Sequence, residues 1–163
     1  LPLEPGSANI GQLETVWLSE VLFKENLAFH PDDAGACRYS LRRDSEIEQC
    51  AEDGMWLLHL RVEVEWTRQD EDEGALPFEL EIQVSGAFTW DAPSVDIDFV
   101  EGWLEFNGPY LLWPYVRTYI SSITNLSRLP PLTIYTMTVP RPRGIDAMEG
   151  QMRLDPADPH AAP

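Results

Sequence analysis

Two stretches of strict alternation constrain this chain more than anything else in it. At residues 56–66 the even positions are Trp56, Leu58, Leu60, Val62, Val64 and Trp66, and the odd ones include His59, Arg61, Glu63 and Glu65. At residues 78–90, Phe78, Leu80, Ile82, Val84, Phe88 and Trp90 alternate with Glu79, Glu81, Gln83, Ser85 and Thr89. A period of two over this length predicts two strands, each with one buried face. The polar link RQDEDEGALP (68–77), with Gly74 and Pro77, predicts that they pair as an antiparallel hairpin. Each large apolar residue buried contributes about 1.5–3 kcal/mol, so this face supplies much of a core. Gly86 interrupts it and marks a bulge or the close approach of a helix.

A tight pairing that places Trp66 near Phe78 sets Glu65 beside Glu79 and Glu63 beside Glu81. Like charges directly opposite each other destabilise a sheet by tenths of a kcal/mol to about 1. The acidic outer face reads either as solubility and edge protection or as a docking plate for a basic partner.

Residues 37–43 (CRYSLRR) alternate more weakly through Cys37, Tyr39 and Leu41 and predict a shorter strand at an edge. Residues 13–24 (LETVWLSEVLFK) are apolar on both sides: Trp17, Val21 and Phe23 on one, Val16, Leu18 and Leu22 on the other. A strand of that kind is covered on both faces or meets another subunit. Four strands followed by a helical region make an α+β pattern, in which a four-stranded antiparallel sheet carries one long helix on one face.

The helix is expected to begin near Pro114, which suits a first turn, with Pro109 leading into it. Tyr115, Val116, Tyr119, Ile120, Ile123 and Leu126 then cover an arc of roughly 140° that faces the sheet. Arg117, Thr118, Ser121, Ser122, Thr124 and Asn125 form the other side, with a single charge among them. Small uncharged residues let a second helix approach closely. Arg117 is expected to find a carboxylate near a subunit interface.

Residues 1–9 and 140–163 are rich in Pro, Gly, Ala and Asp and read as tails around a domain at 10–139. The second tail allows at most a short helix near Asp146–Arg153.

Chemistry is hard to find. His30 sits beside a turn, His160 lies in the tail and His59 is on a polar strand face. The sequence holds no HExxH, CxxC, GxSxG or phosphate-binding glycine loop. No catalytic residue, metal ligand or cofactor is expected. A net charge of -17 argues against nucleic-acid binding. No apolar run approaches the roughly 20 residues that span a bilayer. Cys37 and Cys50 are expected to stay reduced.

The helix region carries a resemblance. NGPYLLWPYVR (107–117), ISSITNLSRL (120–129) and PPLTI (130–134) resemble the SecB-like chaperone pattern N-x-P-x-x-L-F-P-Y-x-R, a small-residue helix and P-x-L in an extended loop, with Trp113 in place of the usual Phe. VWLSEVLFK (16–24) and FELEIQVSGAF (78–88) are similar to that family's first and fourth strands.

The resemblance implies an ATP-independent holdase for unfolded polypeptides in the cytoplasm, serving export or protecting an antitoxin. It implies a homotetramer, a dimer of dimers, meeting through Trp17, Val21, Ser121, Ser122 and Asn125. Its client groove is matched by Tyr39 and Leu41 with Leu132, Ile134, Tyr135 and Met137, exposed on the loop. The positions that dock the SecA motor are matched by Glu20, Glu79 and Glu81, while Lys24 reverses a charge there. A binding module for a small apolar ligand is the alternative.

Overall fold

The computed structural model describes residues 11–50, 54–69, 74–90 and 96–137. Both expected tails and the short helix at Asp146–Arg153 lie outside the described residues. Four strands, β1 (Gln12–Glu25), β2 (Cys37–Cys50), β3 (Met55–Arg68) and β4 (Phe78–Thr89), form one antiparallel sheet in the order β1-β4-β3-β2. A short 3-10 helix, Pro31–Ala36, precedes β2, and α1 (Ile97–Thr124) packs on one sheet face.

The alternation of β3 and β4 builds the core as expected. Leu58, Leu60, Val62, Ile82, Val84 and Phe88 are all 0–1% exposed. The hairpin register is the expected one: Glu63 stands opposite Glu81, and the Trp66 and Phe78 rings meet edge to face at 5.1 Å. Arg61 relieves the like-charge contact by reaching Glu81 at 3.2 Å and Glu20 at 3.6 Å.

β2 is twice as long as expected, because residues 44–50 carry one large apolar side chain, Ile47, and show no period. Pairing with β3 holds them, down to Cys50 opposite Met55. Gly54, beside that end, has φ +62, which only glycine adopts freely. Cys37 and Cys50 end opposite tips of one strand, about 43 Å apart at the usual strand rise. No disulfide can join them within a chain.

β1 corrects the sequence reading. Register shifts at Leu13/Thr15 and Leu18/Glu20 mark two bulges. The second leaves Ser19 as an extra residue and changes which parity faces the helix. Val16, Leu18, Val21 and Phe23 therefore stand opposite the helix-side residues Gly86, Val84, Ile82 and Leu80. Trp17 and Leu22 stand on the outer face, opposite Ser85 and Glu81. Trp17, Val21 and Phe23 do not share a side as expected.

The helix starts seventeen residues before the expected Pro114, at Ile97. The Asp96 carboxylate caps it, accepting from the Asp98 amide at 3.2 Å. Pro109 and Pro114 lie in its interior, where each removes a helical hydrogen bond at a cost of about 3 kcal/mol. Burial offsets this. Val100, Leu104, Gly108, Leu112, Val116, Ile120 and Thr124, every fourth residue, are all buried. At 100° per residue such a series winds by about 240° from end to end, so the sheet-facing side turns along the helix. Tyr115 (43% exposed) consequently faces outward, Leu126 (83%) lies in the turn beyond the end of the helix, and Thr124, assigned to the outer arc, is buried. Gly86 meets the helix as anticipated: a Cβ there would lie 2.7 Å from Leu112 Cδ2.

Candidate functional site

After α1 the chain turns at Leu126–Arg128 and runs back as an extended loop, residues 129–137, between the helix and β2. Five polar contacts fix its path. The Thr124 hydroxyl, which donates to Ile120 O at 2.8 Å, accepts from the Leu132 amide at 2.8 Å. The Tyr39 hydroxyl donates to Thr133 O at 3.1 Å. Trp113 Nε1 donates to Tyr135 O at 3.0 Å. Arg117 Nε donates to Ile134 O at 2.6 Å, and its Nη1 to Thr136 Oγ1 at 3.1 Å. Extended backbone has no partners of its own, so side chains of β2 and α1 supply them.

The loop thus joins the residues expected to form a groove, with changes. Tyr39 and Leu41 lie on the helix side of β2, opposite Trp66 and Val64, and both are half-buried. Tyr135 is 54% exposed, and Leu132 and Met137 are half-buried. Ile134, expected to be exposed, is 2% exposed and belongs to the core, since its own carbonyl is held down by Arg117 and that of Tyr135 by Trp113. Among the described residues Arg117 binds this loop and no carboxylate, because the helix face that carries it turns toward residues 134–136. Burial, and then the nearby Tyr135, raise the Tyr39 pKa above its ordinary value of 10.0, so the phenol that anchors the loop stays protonated.

Sequence reasoning missed Arg43 and Trp113. Arg43 follows Tyr39 and Leu41 on the helix side of β2, donates to Met137 Sδ at 3.2 Å and lies 6.0 Å from the Trp113 ring centre. The alternation of Tyr39 and Leu41 continues through position 43, which was signal enough.

The outer sheet face carries the other candidates. Glu20, Glu79 and Glu81 all lie there, each next to a cation: Arg61 for Glu20 and Glu81, Lys24 for Glu79 at 3.5 Å. Farther along the same face of β4, Ser85, fully buried, is held within 2.5 Å of Ser19 Oγ and 2.7 Å of His59 Nδ1. The five oligomer candidates fall in two places. Trp17 and Val21 stand on the unpaired edge strand β1, on opposite faces. Ser122 and Asn125 are exposed on α1, and Ser121 is half-buried.

The sequence of residues 29–138 matches the family SecB, described as preprotein translocase subunit SecB. No curated protein matches the chain by sequence. Among solved structures, the chain is similar to a SecB-like chaperone of Mycobacterium tuberculosis in complex with a ChAD peptide from the HigA1 antitoxin. The TM-score is 0.67 at 18% identity, covering 82% of this chain and 93% of that one. A Streptococcus agalactiae protein of unknown function is more distant, with a TM-score of 0.40 at 14% identity over 77% of this chain and 97% of that one.

Proposed function

The chain belongs to the SecB family, and on that premise we propose that it is an ATP-independent chaperone that holds non-native polypeptides along the groove between β2 and the loop 129–137. The loop carries this reading. It is extended and apolar, pinned through its carbonyls, and leaves Tyr135, Leu132 and Met137 at the surface. Such a strip takes up an extended client by hydrophobic contact, and its Met and aromatic side chains adapt to different sequences. Clients are export precursors or a labile antitoxin. The ion pairs of Glu20, Glu79 and Glu81 favour the antitoxin, because a motor docking on these carboxylates would compete with Arg61 and Lys24. The location proposed is the cytoplasm; among the described residues no helix is long and apolar enough to cross a membrane.

Equimolar protein is expected to suppress aggregation of an unfolding client, read by light scattering without nucleotide. No suppression, together with tight binding of one lipid-like compound, would instead establish a small-ligand module.

We also propose a tetramer, with β1 pairing across subunits and α1 stacking on α1. Among the described residues β1 leaves its 14-residue outer edge unpaired, with Trp17, Val21 and Leu22 exposed, a surface that proteins otherwise blunt or cover. Ser122→Glu should halve the particle mass in sedimentation while leaving the melting temperature of the fold within about 2 °C, since surface changes alter stability by about 0.5 kcal/mol or less. Ile120→Glu, at a fully buried site, should unfold the chain. A monomer throughout a dilution series of the unmutated protein would sink the assembly.

A further inference from the structure

Acidic residues make up 28 of the 163, yet none occurs between Glu105 and Asp146. At the chain's average frequency those 40 positions would hold about seven; they hold Arg117, Arg128, Arg141 and Arg143 instead. The helix side of β2 repeats the bias: Cys37, Tyr39, Leu41, Arg43, Ser45, Ile47 and Gln49 include one cation and no carboxylate. The C-terminal half of α1, the loop and this strand face adjoin one another and would form the walls of the proposed groove. Among the described residues, then, the walls of a strongly acidic protein's groove carry positive charge only.

The two wall arginines also differ from three cations elsewhere in the described residues. Lys24, Arg61 and Arg128 each reach a carboxylate within 2.7–3.6 Å. Arg117 is bound to a backbone carbonyl and a threonine hydroxyl. Arg43 is exposed and meets only a thioether sulfur and the Trp113 ring among the described residues. A guanidinium offers five N–H donors in a planar fork suited to a carboxylate. The fork of Arg43 has donors to spare, beside Tyr39, Leu41 and Met137.

We propose that the groove selects client segments in which a carboxylate stands among aromatic or aliphatic residues, with Arg43 receiving the carboxylate and Arg117 adding positive potential behind it. This rests on the chaperone reading above and names its client class. The distant acids oppose it weakly, because the Debye length is about 8 Å at physiological salt, and the adjacent guanidinium is much nearer than that. The opposing forces make opposite forecasts. If the net charge of -17 governed selection, basic segments would bind best.

Three labelled peptides of equal length and equal apolar content, with Glu-Glu, Gln-Gln or Lys-Lys at their centre, decide the matter by fluorescence anisotropy with the full chain. The Glu peptide should bind about tenfold more tightly than the Lys peptide at about 0.05 M salt, and the ratio should narrow at about 0.3 M. Arg43→Gln should bring the Glu peptide down to the affinity of the Gln peptide, leaving the latter within about twofold of its value. Arg42→Gln, on the outer face opposite Glu63, should leave the ratio alone. Equal or tighter binding of the Lys peptide, or an unchanged ratio in a folded Arg43→Gln protein, would overturn the charge selection while leaving the chaperone reading standing. Binding of none of the three overturns both.

Discussion

Gly108→Val is expected to destabilise the fold by about 3 kcal/mol, the upper end of the usual overpacking cost. At Gly108 the α1 backbone lies against Leu58 of β3. A Cβ there would run into Leu58 Cδ2. Leu58 is 0% exposed, closed in by the rest of the core, and has nowhere to swing. Helix propensity pulls the other way, since any side chain improves on glycine, but by only about 1 kcal/mol at most. Sterics therefore win. Gly102, six residues earlier on the same helix, is exposed with nothing within 4 Å of a built Cβ. Gly102→Ala should raise stability by about 0.5–1 kcal/mol. Urea unfolding of the two variants should thus move in opposite directions. Similar shifts in both would mean that α1 does not sit on Leu58 as described.

Arg117→Ala should release the loop and abolish most holding activity. The half-buried guanidinium makes two of the contacts that fix the loop's path, to Ile134 O and Thr136 Oγ1, and a hydrogen bond from a charged group contributes about 1.5–3 kcal/mol. Its loss leaves the Ile134 carbonyl without that donor and weakens the burial of Ile134. Protease cleavage after Tyr135 should speed up by about tenfold or more, and aggregation suppression should fall by a comparable factor, while the α1–sheet core keeps most of its stability. Trp113→Phe, which removes only the Nε1–H donated to Tyr135 O, should give the same pattern at about a third of the size. Unaltered proteolysis in Arg117→Ala would show that the loop is held by its apolar contacts alone.

The parts of this structure that could be read in advance are those where one periodicity runs undisturbed. β3 and β4 alternate with only Gly86 interrupting, so which residues enter the core followed from parity, and the pairing of Glu63 with Glu81 followed from a tight hairpin that brings Trp66 to Phe78. The loop after α1 was legible for a different reason: PPLTI (130–134) resembles the family's extended P-x-L segment, and the resemblance, not a period, pointed to Leu132, Tyr135 and Met137. β1 defeated the same logic at Ser19, because one extra residue reverses every side chain beyond it, and no residue type announces that reversal.

Amino-acid order by itself thus determined the sheet's two central strands, the α+β class and the family pattern around Trp113. Only tertiary structure decided how far α1 extends, since Pro109 and Pro114 oppose a helix locally and the burial of Val100, Leu104 and Leu112 against the sheet overrides them. It also decided that Arg117 serves the loop and that Ile134 belongs to the core. A buried stripe that winds by about 240° has no fixed face on a helical wheel. Its neighbours in space, and not its spacing in sequence, determine what each turn of the helix touches.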